Sequence, residues 1–150
     1  DMALVKSILS HPKIFPHIRE DGTDSAEPSE NEALIWMLVS DESPAGVFLA
    51  HARGVHCYEM HTCLLPRIWG AGADEAARLF LTHMFRETAC KKLITSVPAY
   101  NRAALRFAKS HGLQIEGNNR ASYLRDGVLQ DQIQLGITDK EWEKCQQSQQ

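Results

Sequence analysis

Hydrophobic and polar positions along the chain follow two different periods. Apolar runs and period-two alternation, bounded by turn residues, are typical of strands. They predict strands over residues 33–40, 45–52, 55–64, 90–97, 113–117 and 130–136. Apolar positions spaced three and four apart predict helices over residues 3–9, 74–88 and 101–111. The segments between them are rich in proline, glycine and polar residues, which indicates turns and loops.

The order of these elements points to one fold class. A short helix is followed by three strands, a helix, a strand, a second long helix and two further strands. We therefore expect an α/β (α+β) fold in which a mixed, mostly antiparallel central sheet is flanked by helices. Residues 1–145 would form one domain of ordinary size. The acidic segment 20–32 is predicted to be a mobile loop, and residues 146–150 a disordered tail.

The segment between the third strand and the next helix suggests an anion-binding site. It contains Arg67, Gly70 and Gly72 in the spacing R-x-x-G-x-G, directly before an amphipathic helix. Glycines allow main-chain N–H groups to turn toward a ligand, and a helix N-terminus carries a partial positive charge. A diphosphate is the ligand that this arrangement favours.

A second segment extends the pattern to a known family. Asn101, Ala104, Gly112 and Leu113 match part of the motif N-x-x-A-x-x-x-Y-x-x-x-G-F. Together with the glycine loop they resemble the GCN5-related N-acetyltransferase (GNAT) superfamily. The E-G, D-G and E-W pairs between residues 116 and 142 are similar to the GNAT branch that contains the ribosomal-protein N-terminal acetyltransferases. The resemblance covers roughly residues 33–142.

The resemblance implies an activity and a co-substrate. Enzymes of this family transfer acetyl from acetyl-CoA to a primary amine by direct attack in a ternary complex. Acetyl-CoA would bind between the third and fourth strands, with the main chain of residues 62–64 on its pantetheine. The acceptor would be a protein N-terminus or a small amine, and no metal is implied. The residues expected to bind the coenzyme are Thr62, Cys63, Leu64, Arg67, Trp69, Gly70, Ala71, Gly72, Ala73, Asn101 and Arg102.

The proton transfers of this reaction need a base and an acid. Glu59 is the first choice for the general base and His61 the second, because both lie on one face of the third strand. Each can equally be a polar residue at the sheet surface. The resembled family uses a tyrosine as general acid at a position that is Ala108 in this chain. Tyr100 or Tyr123 could supply the proton from another direction.

Two departures from the family leave an alternative open. Ala108 has no hydroxyl group, and the glycine loop is one residue shorter than in the ribosomal-protein branch. The segments 61–66 and 97–102 also resemble GNAT-like proteins of tailed bacteriophages, some of which are head-assembly proteins. The chain could therefore be a GNAT-fold interaction module, associated with a virion, in which catalysis is weakened.

Composition excludes several classes of protein. Of the 150 residues, 43% are hydrophobic and 23% are charged, which is ordinary for a soluble globular protein. The net charge of -3 and the dispersed basic residues argue against nucleic acid as a partner. No apolar run is long enough to cross a membrane, and no export signal is found. We expect a cytoplasmic protein, in the host cytoplasm if phage-encoded, and a homodimer is left open.

Cysteine and histidine spacing gives no metal-binding motif. The four cysteines contain no C-x-x-C pair, so free thiols are expected. On the third predicted strand, Cys57, His61 and Cys63 are of metal-ligating types. Cys57 and His61 would stand about 13 Å apart at the rise of an extended strand, which is too far to share one ion. We therefore predict no metal site on this strand.

Overall fold

Five helices and six strands form the structure of residues 1–31 and 33–149, which are the residues that the computed structural model describes. The helices are α1 (Met2–Leu9), α2 (Phe15–Ile18), α3 (Ala71–Glu87), α4 (Arg102–Ser110) and α5 (Asp139–Ser148). The strands are β1 (Leu34–Ser40), β2 (Pro44–Ala52), β3 (Cys57–Leu64), β4 (Lys92–Pro98), β5 (Gln114–Arg125) and β6 (Val128–Thr138). A 3-10 turn, Pro66–Ile68, connects β3 to α3.

The six strands form one sheet in the order β1-β2-β3-β4-β6-β5. All neighbouring strands are antiparallel except β3 and β4, which are parallel. The parallel pair follows from chain order, because helix α3 is the crossover that returns the chain to the starting end of β3. The predicted fold class, a mixed and mostly antiparallel sheet with helices, is confirmed.

The sheet is divided along the β3–β4 boundary. β3 pairs with β2 over seven residues, and β4 pairs with β6 over seven residues. Between β3 and β4, however, only Cys57–Glu59 pair with Lys92–Ile94. Beyond these three pairs the strands diverge, and the sheet opens at the end where β3 leads into α3.

The main core lies between α3 and the sheet. The predicted apolar stripe of α3 is buried, except for a half-buried Ala76, and its Phe80 ring stacks on Phe48 of β2 with ring centroids 4.6 Å apart. Trp142 of α5 closes the far end against Phe85. A second apolar cluster joins α1 to β2 through Val5, Ile8 and Val47. The described helices include none that is both long and apolar enough to cross a membrane.

The C-terminal part of the chain differs most from the sequence predictions. β5 and β6 are far longer than predicted, because their outward residues are polar and their pairing is set by the hairpin at Gly127. Helix α5 was not predicted, and it includes residues 146–148, where a disordered tail was expected. Its start is a capping box formed by Thr138 and Glu141. Gln150 lies outside the described residues.

Two smaller differences concern segments near the open end of the sheet. Helix α3 begins at Ala71, three residues earlier than predicted, so the glycine loop is tighter than expected. Residues 20–31 contain no helix or strand, and Glu32 lies outside the described residues. The start of that segment is held in place, because the Asp21 carboxylate accepts the N–H groups of Asp126 and Gly127 at 3.0 and 2.8 Å.

Candidate functional site

The half of β3 that diverges from β4 has one unpaired edge. Along a strand, the N–H and C=O groups of alternate residues point to opposite edges. Arg53 donates its N–H to the Cys57 carbonyl at 2.8 Å. Leu65 donates to the Ala45 carbonyl at 2.8 Å. With the register between them, these bonds show that the odd-numbered residues of β3 bond to β2 and the even-numbered residues face β4.

Two carbonyls of the open edge are occupied by side chains. The Met60 carbonyl accepts a hydrogen bond from Thr95 Oγ1 at 3.0 Å. The Leu64 carbonyl accepts one from the Trp69 indole N–H at 3.1 Å. The predicted coenzyme role of Leu64 is therefore limited to its N–H group, and Trp69 is fixed at the rim of the opening with 64% of its surface exposed.

Thr62 lies between these two carbonyls on the same edge of β3. Its N–H and C=O point into the opening, and within the described part of the chain no strand lies opposite them. Cys63 faces the other way, because it stands opposite Val47 and directs its main-chain groups to β2. This corrects the prediction that the Cys63 main chain contacts the coenzyme. Cys63 contributes its side chain to the opening instead.

The N-terminus of α3 faces the same opening. Gly70 is the N-cap and has φ 85° and ψ -131°, a conformation that side-chain-bearing residues rarely adopt. The first N–H groups of a helix have no partner within it, and among the residues that the structure describes no side chain caps α3. The N–H groups of residues 70–73 are therefore free to bind a ligand. This is the role that the sequence predicts for Gly70, Ala71, Gly72 and Ala73.

A cleft of about 710 Å³, here called the basic cleft, connects these groups. Its charged lining residues are Lys13, Arg102 and Arg125, with no carboxylate among the described residues that line it. Eight of the eleven residues predicted to bind the coenzyme line it together, namely Thr62, Cys63, Leu64, Trp69, Gly70, Ala73, Asn101 and Arg102. The cleft therefore combines free amide donors with a positive field, which suits phosphate groups.

Arg67 is a predicted coenzyme residue that lies elsewhere. Its guanidinium donates to both carboxylate oxygens of Asp41 at 2.6 Å and to the carbonyls of Ser43 and Pro44 at 2.8 and 2.9 Å. The hydrogen bond from Arg67 is the main cause that lowers the pKa of Asp41 to about 2. The side chain thus anchors the β1–β2 turn, and the prediction that it binds a diphosphate is corrected.

The carboxylates near the basic cleft are paired with cations or histidine. Asp74 in the first turn of α3 lies 3.0 Å from His111 Nε2, and Glu75 forms an ion pair with Arg78 at 2.6 Å. Asn101 caps α4, since its Oδ1 accepts the Ala104 N–H at 3.1 Å. The cap leaves the Asn101 amide NH₂ free to donate into the cleft.

A second cavity of about 480 Å³, here called the Glu59 cavity, adjoins the basic cleft. Thr62, Cys63 and Asn101 are among the residues that line both spaces. Glu59 is the one carboxylate among the described residues of the cavity wall, and most of the rest of that wall is apolar. The cavity therefore offers a single negative group, close to the point where β3 and β4 separate.

Glu59 is surrounded by three basic side chains. Its carboxylate lies 3.7 Å from His51 Nε2, 4.0 Å from His61 Nε2 and 3.5 Å from Arg53 Nε. The imidazole rings of His51 and His61 are stacked, with centroids 5.4 Å apart. The pKa of His61 is lowered, mainly because the protein shields its ring from water, although the Glu59 charge acts in the opposite direction. A neutral His61 can accept a proton at neutral pH.

Hydroxyl groups suited to a general acid lie at the edge of the site. Ala108 lines the Glu59 cavity and brings no hydroxyl there. The Tyr123 hydroxyl is 2.8 Å from the Arg19 carbonyl and donates to the N-terminal segment. Tyr100 lines the basic cleft with 46% of its surface exposed. The Cys63 thiol lies at the junction of the two spaces, and burial raises its pKa to about 11, so it is protonated at neutral pH.

Several residues of the site were missed from the sequence. Lys13 and Arg125 reach the basic cleft from distant parts of the chain, and no local pattern marks them. His51 joins Glu59 because the β2–β3 hairpin places the two residues opposite each other. That pairing was accessible in principle, since the turn at Arg53 and Gly54 fixes the hairpin register.

Comparisons with known proteins identify the fold. No protein-family model matches the sequence. Among curated proteins there is no match either. A mutant of the spermidine N-acetyltransferase SpeG from Vibrio cholerae is similar in structure, with a TM-score of 0.72 at 17% identity over 77% of this chain and 72% of that chain. A chimera of Vibrio cholerae SpeG and hSSAT gives 0.70 at 18% identity over 75% and 71%.

A third solved structure, described as a probable acetyltransferase, gives a TM-score of 0.67 at 19% identity over 74% of this chain and 65% of that chain. The chain therefore has the GNAT acetyltransferase fold that its sequence motifs predicted.

Proposed function

We propose that the protein is an acetyl-CoA-dependent N-acetyltransferase that acetylates a primary amine by direct attack in a ternary complex. The observation that carries the proposal is the junction of two different spaces at the opening of the sheet. The basic cleft holds free amide donors and cations, and the adjoining Glu59 cavity holds Glu59 and His61, the two groups proposed to act as base. Phosphate binding and proton acceptance are thus provided side by side.

The basic cleft fits acetyl-CoA. The amides of residues 70–73 and the side chains of Lys13 and Arg102 would hold the phosphates, and the Thr62 main chain would align the pantetheine arm. Acetyl-CoA supplies an activated acetyl group as a thioester. The contribution of the chain is to bind and orient this group beside the cavity that receives the amine.

Glu59 and His61 would prepare the acceptor. A protonated amine has no lone pair for attack, so a nearby group has to take its proton. Glu59 attracts the ammonium form into the cavity, and the neutral His61 accepts a proton directly or through water. Tyr100, which lines the basic cleft, would donate a proton to the departing thiolate, although a thiol is an acceptable leaving group without such help.

The shape of the Glu59 cavity favours an amine with an apolar neighbour group. Its wall includes Trp36, Phe48 and Leu49, and it offers one carboxylate rather than several. The SpeG structures are named for spermidine, a polyamine. A single carboxylate gives a polyamine no second partner, so we expect simple monoamines or a protein N-terminus to be preferred.

Product analysis by mass spectrometry tests the proposal. The full chain is incubated with acetyl-CoA and one of four acceptors: phenethylamine, spermidine, a peptide with a free N-terminus, or the same peptide already acetylated. We expect an N-acetylated product from a primary amine, with one free coenzyme A per acetyl transferred, and none from the blocked peptide.

Two results would contradict the proposal in different ways. If coenzyme binds but no amine is acetylated, the fold serves as an interaction module, as the similarity to phage head-assembly proteins suggests. If acetyl-CoA does not bind, the basic cleft is not a coenzyme site and the proposed ligand is wrong. If Glu59→Gln/His61→Gln forms the product as well as the wild type does, the acetyltransferase activity is upheld, but neither Glu59 nor His61 is the base.

A further inference from the structure

Three metal-ligating side chains from two strands meet beside the Glu59 cavity, whose wall includes Glu59 and His61. His51 of β2 stands opposite Glu59 of β3, and His61 follows two residues later. Opposite residues in an antiparallel pair share a face, as do residues two apart on one strand. All three side chains therefore lie on one face of the sheet, and their ligand atoms are within 4.8 Å of one another.

The distances leave space for an ion between these groups. The Glu59 carboxylate is 3.7 Å from His51 Nε2 and 4.0 Å from His61 Nε2, which is too long for direct hydrogen bonds. Tetrahedral coordination with bonds of about 2.1 Å places ligand atoms about 3.4 Å apart. Shifts of a few tenths of an ångström in the side chains would bring both histidine-to-carboxylate distances to this value. The two histidines would also have to approach each other, and His61, with 46% of its side chain exposed against 26% for His51, is the less confined of the two.

We propose that His51, Glu59 and His61 bind one divalent transition cation of the Zn²⁺ class. Two imidazoles and a carboxylate suit Zn²⁺ or Co²⁺, whereas Mg²⁺ and Ca²⁺ require sites made of oxygen ligands. Three protein ligands leave a fourth position for water or another small ligand. The site is formed across two strands, so the spacing along β3 alone does not reveal it.

Arg53 opposes the cation and provides a sharp test. Its Nε lies 3.5 Å from Glu59 Oε2, and its side chain is 57% exposed. A bound cation has to displace this guanidinium from the carboxylate. Arg53→Gln therefore removes a competing positive charge, and the cation should bind more tightly to this variant than to the wild type.

Cation binding would also control the proposed transfer reaction, a consequence that rests on the proposed function. A cation held by Glu59 and His61 occupies the lone pairs that would accept the proton of the amine. It leaves the basic cleft untouched, because none of its three ligands lines that cleft. A bound cation is thus expected to inhibit transfer while coenzyme still binds.

Visible absorption of Co²⁺ tests the site without any need for activity. The metal-free chain is titrated with Co²⁺, and Zn²⁺ is then added to displace it. We expect saturation at one equivalent, intense d–d bands typical of four-coordinate Co²⁺, and loss of these bands with Zn²⁺. His51→Ala should weaken binding by about tenfold or more. His83→Ala, which changes a histidine on α3 outside the cluster, should bind as the wild type does.

Three outcomes would reject the site, and a fourth would separate it from the proposed function. No saturable binding at micromolar Co²⁺, or equal binding by His51→Ala and the wild type, would overturn the proposal. A sulfur-to-cobalt charge-transfer band would assign the ion to a cysteine such as Cys63 instead. His51-dependent binding by a protein that acetylates no amine would uphold the cation site and refute the proposed function, so the two failures are distinguishable.

Discussion

The two edges of β4 are paired to very different extents. On one edge, β4 pairs with β6 over all seven of its residues. On the other, it pairs with β3 over three and then separates. β3 remains paired with β2 over seven residues, and β4 remains paired with β6 over seven. The opening therefore arises because each of these two strands stays with its outer neighbour while the two separate from each other. Continuous pairing closes the sheet, and divergence leaves a strand edge with free main-chain groups.

The same difference separates main-chain groups that are paired within the sheet from those that remain free to bind a ligand. Between β4 and β6 the main-chain N–H and C=O groups bond to each other, so only side chains are left to contact a ligand. Between β3 and β4, the Thr62 main chain and the α3 amides lack such partners, and Glu59 occupies the last paired position. Donors and acceptors without a partner are costly in a partly enclosed site, so a ligand that forms hydrogen bonds with them is stabilised.

The largest effect is expected when both bases at the opening are removed. Glu59→Gln/His61→Gln deletes the groups proposed to accept the amine proton while keeping two polar side chains of similar size. General-base catalysis is worth about 10² to 10⁴ in rate, so kcat should fall by that factor. Steady-state kinetics measure the loss, and an unchanged acetyl-CoA Kd is the control. Equal kcat in variant and wild type would place the base elsewhere.

Gly70→Ala tests whether the start of α3 depends on its unusual backbone. Alanine at φ 85° and ψ -131° is strained, although a Cβ there would meet no atom within 4 Å. We expect a loss of about 1–3 kcal/mol in the free energy of unfolding. Gly54→Ala is the matched control, because Gly54 has no positive φ and is equally uncrowded. Urea unfolding decides, and equal stability of the two variants would reject the strained cap.

Proline substitutions at two neighbouring positions of β3 compare its open edge with its paired edge. Thr62→Pro removes an N–H that faces the opening, and Cys63→Pro removes one that bonds to β2. We expect the first variant to stay folded and bind acetyl-CoA up to about tenfold more weakly, the worth of one hydrogen bond. The second should lose stability, as melting temperatures will show. The opposite pattern would mean that the strand edges are assigned the wrong way round.

Arg67→Gln should have the smallest effect on stability. It tests whether Arg67 stabilises the β1–β2 turn without contributing to the basic cleft. The lowered Asp41 pKa, about 2 against an ordinary 3.8, means that this carboxylate stabilises the fold above pH 4 and loses that contribution as the pH falls toward 2. Without Arg67 the contribution is absent, so the two stability curves should converge on acidification. Because the pair is exposed, the change is small, and the acetyl-CoA Kd should be unaltered.

The sequence predicted the elements with clear periodicity and missed the contacts between distant segments. The α3 stripe around Phe80 and the glycine loop were visible because their spacing is local. Helix α5 carried a readable signal in Thr138 and Glu141, although few apolar residues follow it. Lys13, Arg125 and His51 reach the site through tertiary packing and strand register, which one strand or helix considered alone does not contain.

Arg67 shows the converse error. The motif placed a cation at the right point in the chain, yet its side chain found a nearer and fully ionised partner in Asp41. Gly70, by contrast, lies in the basic cleft with the unusual backbone that a glycine loop permits, because its place depends on backbone conformation rather than on which way a long side chain turns.

Thermal melting with acetyl-CoA tests the central claim, that the opening between β3 and β4 is a coenzyme site. Ligand at about 100 times its Kd stabilises a protein by about 2.7 kcal/mol, a shift of several degrees in a chain of this size. We expect that shift in the wild type and in Arg67→Gln, and a smaller one in Thr62→Pro at the same concentration. An unchanged melting temperature at millimolar acetyl-CoA would contradict the claim.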